Sequence, residues 1–251
     1  MFGLFKPTLP ITEEQRQRMD RSFLLLASLI GAKRLLEATV VLPTSEHFPD
    51  PYDRSESALH LMLNRVAVQM GMNSGDVSVT LFVAEHDMTK SLVPFYSGDS
   101  SGAAGLYHHD PNKKAQISID EKQLKDPVSL VATLAHELGH VLLLRPGLVS
   151  RDDPEMEPLN DLLTIFLGFG IFTANAAFQF EQHSDHRSQG WSAHRQGYLS
   201  EAEIGFALAR FAYERREAKP RWTSFLATNV AAHMKRSLAW LRQNSRPRLF
   251  G

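Results

Sequence analysis

The stretch "ATLAHELGHVLLL", Ala132 to Leu144, decides how the rest of the chain is read. It sets His136 and His140 four apart, with Glu137 beside the first. On a helix, residues i and i+4 lie one above the other on the same face, so the two imidazoles point the same way. Every other residue of the stretch is uncharged. Three polar groups buried in an apolar helix are costly unless something satisfies them. A metal ion does so. Neutral imidazole is a good zinc ligand, and two at this spacing reach one ion. A carboxylate next to the first can take a proton from a water that the ion activates. The pattern is H-E-x-x-H.

Working outward, the helix that carries this pattern has both ends marked. Asp126-Pro127 supplies an N-cap followed by proline at the first helical position. Arg145-Pro146-Gly147 stops the helix. Just upstream, "AQISID" (Ala115 to Asp120) alternates Ala115, Ile117 and Ile119 with Gln116, Ser118 and Asp120, as a half-buried edge strand does. "GLYHH" is a second short strand, and "VSVTLFVA" (Val77 to Ala84) a third, rich in β-branched residues. The intervening "SGDSSGAAG" lacks the lysine and helix start of a phosphate loop and reads as a mobile rim. Earlier still, a helix is predicted over Thr12 to Leu36 and another over Ser57 to Met70, ending at Gly71.

Downstream, a polar loop leads to Glu157 and then to one buried apolar helix containing "LLTIFLGFGIFTANAAF", Leu162 to Phe178. "EQHSDHRSQGWSAHRQGY" reads as loop. Ser200 with Glu203 forms a capping box for a helix to about Glu217. A last amphipathic helix runs from about Trp222 to Arg242, with Phe225, Leu226, Val230, Met234, Leu238 and Leu241 inward. Trp222 and Trp240 read as core. The fold class is α+β with helix dominant: a small mixed or antiparallel sheet beside the H-E-x-x-H helix, then a helical C-terminal half. One domain spans 1–251, with the N-terminal helices and sheet in 1–125 and the motif helix and helical half in 126–251.

Composition narrows the function classes. The net charge is −1 over 251 residues, so nothing global points to nucleic acid. The charge is uneven: from Arg210 onward ten Lys/Arg stand against two Glu, which read as solvated helix faces or as a site for an acidic partner. There is no cysteine, which excludes disulfides and thiolate metal sites and fits a reducing, cytoplasmic setting. The opening "MFGLFKPTLPITEEQRQRMDR" is not a secretory signal, because Pro7 and Pro10 interrupt it and charges precede any apolar run. No membrane span is expected: Leu162 to Phe178 is near the lower length limit, carries Asn175 and follows Asp161 directly.

With these residues in view, the segment from about Gly102 to Asn175 resembles the zincin metallopeptidases. Such a site needs three protein ligands and an open position. The metzincin branch places a third histidine six residues after the second, where this chain has Pro146. The gluzincin branch, as in thermolysin-like peptidases, takes a Glu from a following helix in an E-x-x-x-D pattern, and this chain has "EPLND". The resemblance implies that His136, His140 and Glu157 bind Zn2+, that Glu137 is the general base, and that Asp161 orients a ligand histidine from behind. It implies a peptide or protein substrate lying extended beside "AQISID". Pro158 places Glu157 at the helix N-cap, which leaves Asp161, His183 or His186 as alternative third ligands. Tyr198, His194, His109 and Tyr107 are candidates to stabilise an oxyanion. The expected function is a zinc peptidase. The alternative is a regulatory or binding protein on the same scaffold, with a structural or sensory metal.

Overall fold

Thr12 opens the first helix through a capping box: its hydroxyl accepts from the Gln15 amide, and the Gln15 side chain accepts from the Thr12 amide. In the computed structural model, residues 7–83, 105–108, 114–184, 199–244 and 246–250 are described, and the side chains of 105–108 and 178–184 lie outside that description. Helix α1 (Glu13–Leu26) passes through a π turn (Ala27–Gly31) into α2 (Ala32–Leu36). Helix α3 (Glu56–Gln69) is capped by Ser55 and ends before Gly71, whose φ of +68° is the left-handed conformation that stops a helix.

Three strands follow: β1 (Val77–Phe82), β2 (Gly105–His108) and β3 (Ala115–Asp120). They form a mixed sheet in the order β1-β3-β2. β1 runs parallel to β3, pairing Val77 with Ala115, and β2 runs antiparallel to β3, pairing Tyr107 with Ile117. The alternation in "AQISID" does report a buried face, since Ala115, Ile117 and Ile119 are in the core. It does not report an edge: β3 is the central strand, flanked on both sides. The expectation of an edge strand, and of substrate pairing beside it, is therefore overturned.

Helix α4 (Pro127–Leu144) begins as its sequence dictates. Asp126 Oδ1 accepts from the amides of Val128 and Ser129 at 3.0 and 3.2 Å, and Pro127 sits in the first turn. It packs against α3, the sheet and the two helices that follow it. By length and composition it is apolar enough to cross a membrane, and 67% of it is buried inside the protein.

The apolar run after Glu157 is not one helix. It is α5 (Met156–Phe166) and α6 (Gly170–Ser184), broken at Gly168. Gly168 has φ +95°, and a Cβ there would lie 2.1 Å from the Thr39 carbonyl oxygen. The Gly168 carbonyl in turn accepts from the Val41 amide at 3.0 Å. The chain before α3 thus lies directly against this corner, and only a residue without a side chain admits it. Helix α6 also continues through His183 to Ser184, so the first four residues of "EQHSDH" are helical rather than loop.

The C-terminal half adds α7 (Glu201–Glu214), which has the expected Ser200–Glu203 capping box, and α8 (Thr228–Gln243), packed against α7. The last helix starts later than expected. Arg221–Phe225 is a separate 3-10 turn, and the change of phase leaves Phe225 exposed rather than inward. Val230, Met234, Leu238 and Leu241 do face the core. The buried apolar residues form one cluster drawn from both halves of the chain, from Ile11 to Leu241.

Candidate metal centre

The site lies where α4 and α5 meet. His136 and His140 are one turn apart on α4, with ring centroids 4.7 Å apart and planes at 86°. Their Nε2 atoms approach to 3.1 Å. Glu157 enters from the first turn of α5. Its Oε2 is 3.2 Å from His136 Nε2 and 3.5 Å from His140 Nε2. Asp161, one turn further along α5, places Oδ1 3.0 Å from His136 Nδ1. The two carboxylates of "EPLND" therefore meet opposite nitrogens of one ring. Glu137 brings its carboxylate within 4.8 Å of both imidazoles.

Glu155 is the N-cap residue of α5, so Glu157 stands inside the first turn and not at the cap. Pro158 is accommodated because helical amides in the first turn have no partner to lose. Arg18 on α1 fixes this end of the helix, binding Glu155 at 3.0 Å and Glu203 of α7 at 2.5 Å.

Three potential donor atoms thus converge with separations of 3.1, 3.2 and 3.5 Å. A tetrahedral ion with bonds of about 2.0–2.2 Å spaces its ligand atoms about 3.3–3.6 Å apart, so the donors present fit such an ion. Glu157 Oε2 is buried and makes no well-aligned hydrogen bond, as expected of a ligand atom aimed into a shared space. The His136 and Glu157 side chains are 23% and 29% exposed, whereas Glu137, His140 and Asp161 are buried.

Electrostatics set the protons. Burial works against a charged His136, yet its contacts with Asp161 and Glu157 win and hold its pKa well above the usual value. Burial pushes the Glu137 carboxyl up to about 7, against the pull of His136. Burial, joined by the positive charges of His136 and Arg151, drives His140 well below its usual value. One imidazole is thus held charged and the other neutral, and a cation of higher charge would take the place of that single proton.

His183 lies on α6, but its side chain is outside the described residues, as is that of Tyr107 on β2. His109, His186, His194 and Tyr198 fall outside the described residues altogether. Two residues of the site are not singled out by the motif. Arg151 acts on the charge state of Glu137 and His140. Asn160, between Glu157 and Asp161, donates from Nδ2 to the His136 carbonyl at 2.9 Å. The signal for Asn160 was its place inside "EPLND", one residue before Asp161. Comparison with protein-family models, with curated proteins and with solved structures finds no match.

Proposed function

We propose that this protein is a zinc-dependent metallohydrolase of the gluzincin type, acting as a peptidase in a reducing, cytoplasmic setting. His136, His140 and Glu157 would hold the ion. The observation that carries this reading is the convergence of their three donor atoms at 3.1–3.5 Å where α4 meets α5, with the Glu137 carboxylate as a fourth group alongside. When bound, zinc supplies Lewis acidity, polarising a carbonyl and lowering the pKa of a water towards about 7.

The chain's own residues supply the rest. Asp161 accepts the Nδ1 proton of His136, fixing the tautomer that leaves Nε2 free to ligate. Glu137 takes a proton from the attacking water as the new C–O bond forms, and returns it to the amine as the C–N bond breaks. An extended peptide would pair with β2, which is an edge strand among the described residues and packs against α4.

The test is metal content and peptidase activity measured together. Protein purified without chelator is expected to hold about one zinc per chain. His140→Ala and Glu157→Ala should lose it. Glu137→Gln should keep it while losing about 100-fold or more in activity. Full activity in Glu137→Gln would falsify the mechanism. One zinc per chain with no turnover of any peptide in a broad library would favour the regulatory alternative.

A further inference from the structure

Helices α4 and α5 cross at Gly139 and Asn160. A Cβ at Gly139 would lie 2.2 Å from Asn160 Oδ1 and 3.1 Å from its Cγ, so no side chain fits at that position as the helices stand. Asn160 has no exposed surface. Its Nδ2 donates to the His136 carbonyl, using the second lone pair of an oxygen that already serves the helix. Its Oδ1 is buried without a hydrogen-bond partner. An apolar residue of similar size would fill this space without leaving a buried acceptor unsatisfied. Asparagine adds one thing that such a residue does not: the bond to His136.

That bond completes a three-point grip. Within five residues of α5, Glu157 meets His136 Nε2 at 3.2 Å, Asp161 meets Nδ1 at 3.0 Å, and Asn160 meets the backbone oxygen at 2.9 Å. The Asp161 contact fixes the ring, the Asn160 contact fixes the backbone that bears it, and Glu157 faces the ring across the ion position. Gly139 permits the approach that all three require.

We propose that Asn160, seated on Gly139, is a positioning residue that sets the register of α5 against α4 and thereby the spacing of the metal ligands. This inference rests on the metal-site reading above. Asn160 does not touch the ion position. It acts through His136, and its loss lets Glu157 drift from the two imidazoles.

Zinc affinity, measured by competition with a chromophoric chelator, tests this alongside thermal unfolding in excess chelator. Asn160→Ala is expected to weaken zinc about tenfold or more, the range typical of residues that orient metal ligands. Asn160→Leu keeps the volume, lacks the donor and should weaken zinc as well. Gly139→Ala should weaken it by displacing the Asn160 amide. The double variant Gly139→Ala/Asn160→Ala should bind no more weakly than Asn160→Ala alone, because no amide remains to displace. Wild-type affinity in both Asn160 variants overturns the proposal, even if their chelator-treated forms unfold at lower temperature. So do losses that multiply in the double variant. A wild-type protein that takes up no zinc removes the metal site itself, a result distinguishable from either.

Discussion

His136 is the residue on which the site's response to pH turns. Its contacts with Asp161 and Glu157 outweigh the cost of its burial and hold its pKa well above the usual histidine value when no ion is bound. A histidine held above its unfolded value of 6.5 stabilises the fold fully below that value, and the contribution is lost as pH rises through the folded pKa. Glu137, raised by burial from 4.5 to about 7, acts in the same sense between those two values, since the folded chain keeps a proton that the unfolded chain has released. His140, lowered by burial, acts oppositely, and its contribution is lost as pH falls below 6.5. Of these three groups His136 is the one still titrating above about 7, and its loss of a proton lowers the stability of the metal-free protein as pH rises. Ligation needs the neutral imidazole, so zinc must displace that proton, and apparent affinity climbs by up to about tenfold per pH unit. The gap in Tm between zinc-loaded and chelator-treated protein should therefore widen as pH rises above about 7. Calorimetry in buffers of different ionisation enthalpy should register a proton released on binding. A gap that stays constant with pH would mean that His136 is not the group the ion displaces.

Among the elements, the α5–α6 corner is the most exacting. Gly168 combines a φ of +95° with a carbonyl oxygen 2.1 Å from where a Cβ would stand. Gly168→Ala should cost about 2 kcal/mol or more, because strain in the left-handed region adds to a clash with backbone that cannot swing aside. Denaturant unfolding of the zinc-loaded protein measures it, and a cost below about 0.5 kcal/mol would mean that the Thr39–Val41 segment moves freely. The same corner shows what the sequence conceals. Helix α4 is legible because its signals are local: Asp126-Pro127 begins it, and Arg145-Pro146-Gly147 ends it. The break at Gly168 is not, because residues apolar on every side erase the 3.6-residue period, and the reason for the glycine lies on a segment far upstream. Strand β3 fails differently. Alternation in Ala115, Ile117 and Ile119 specifies which face is buried, whereas centre or edge depends on β1 and β2, whose pairings are not local. Phe225 departs from the pattern of α8 because a 3-10 turn resets the phase. Within the site, the spacing of "HELGH" and "EPLND" indicated which side chains could meet, while the fit of Asn160 on Gly139 exists only once two helices have been brought together.

For the molecule as a whole, the basic C-terminal region works largely as internal fastening. Arg215 donates from Nη1 to the carbonyls of Leu35, Leu36 and Ala38, and Arg242 to those of Glu217 and Ala218. Arg246 lies over the Trp240 ring and Arg248 over the Tyr213 ring. Arg210 is the most demanding of them. Its side chain is 1% exposed, and it binds Asp20 of α1 at 2.7 Å and the fully buried Glu214 at 3.3 Å. Glu214 Oε2 also accepts from the amides of Leu249 and Phe250, so this network joins α1, α7 and the end of the chain. Burial has already raised the Glu214 pKa despite the arginine. Arg210→Met fills much of the same volume but leaves that carboxyl buried without its cation, and should cost about 3–5 kcal/mol. Removing the carboxyl too, in Arg210→Met/Glu214→Leu, should recover most of the loss, because a buried ion pair contributes little net stability over an apolar pair of like size. Denaturation of both variants in excess chelator keeps metal binding out of the comparison. If the double variant stays as unstable as the single, the network stabilises this fold through its geometry, including the amides of Leu249 and Phe250 that Glu214 holds, and not merely by avoiding a stranded charge.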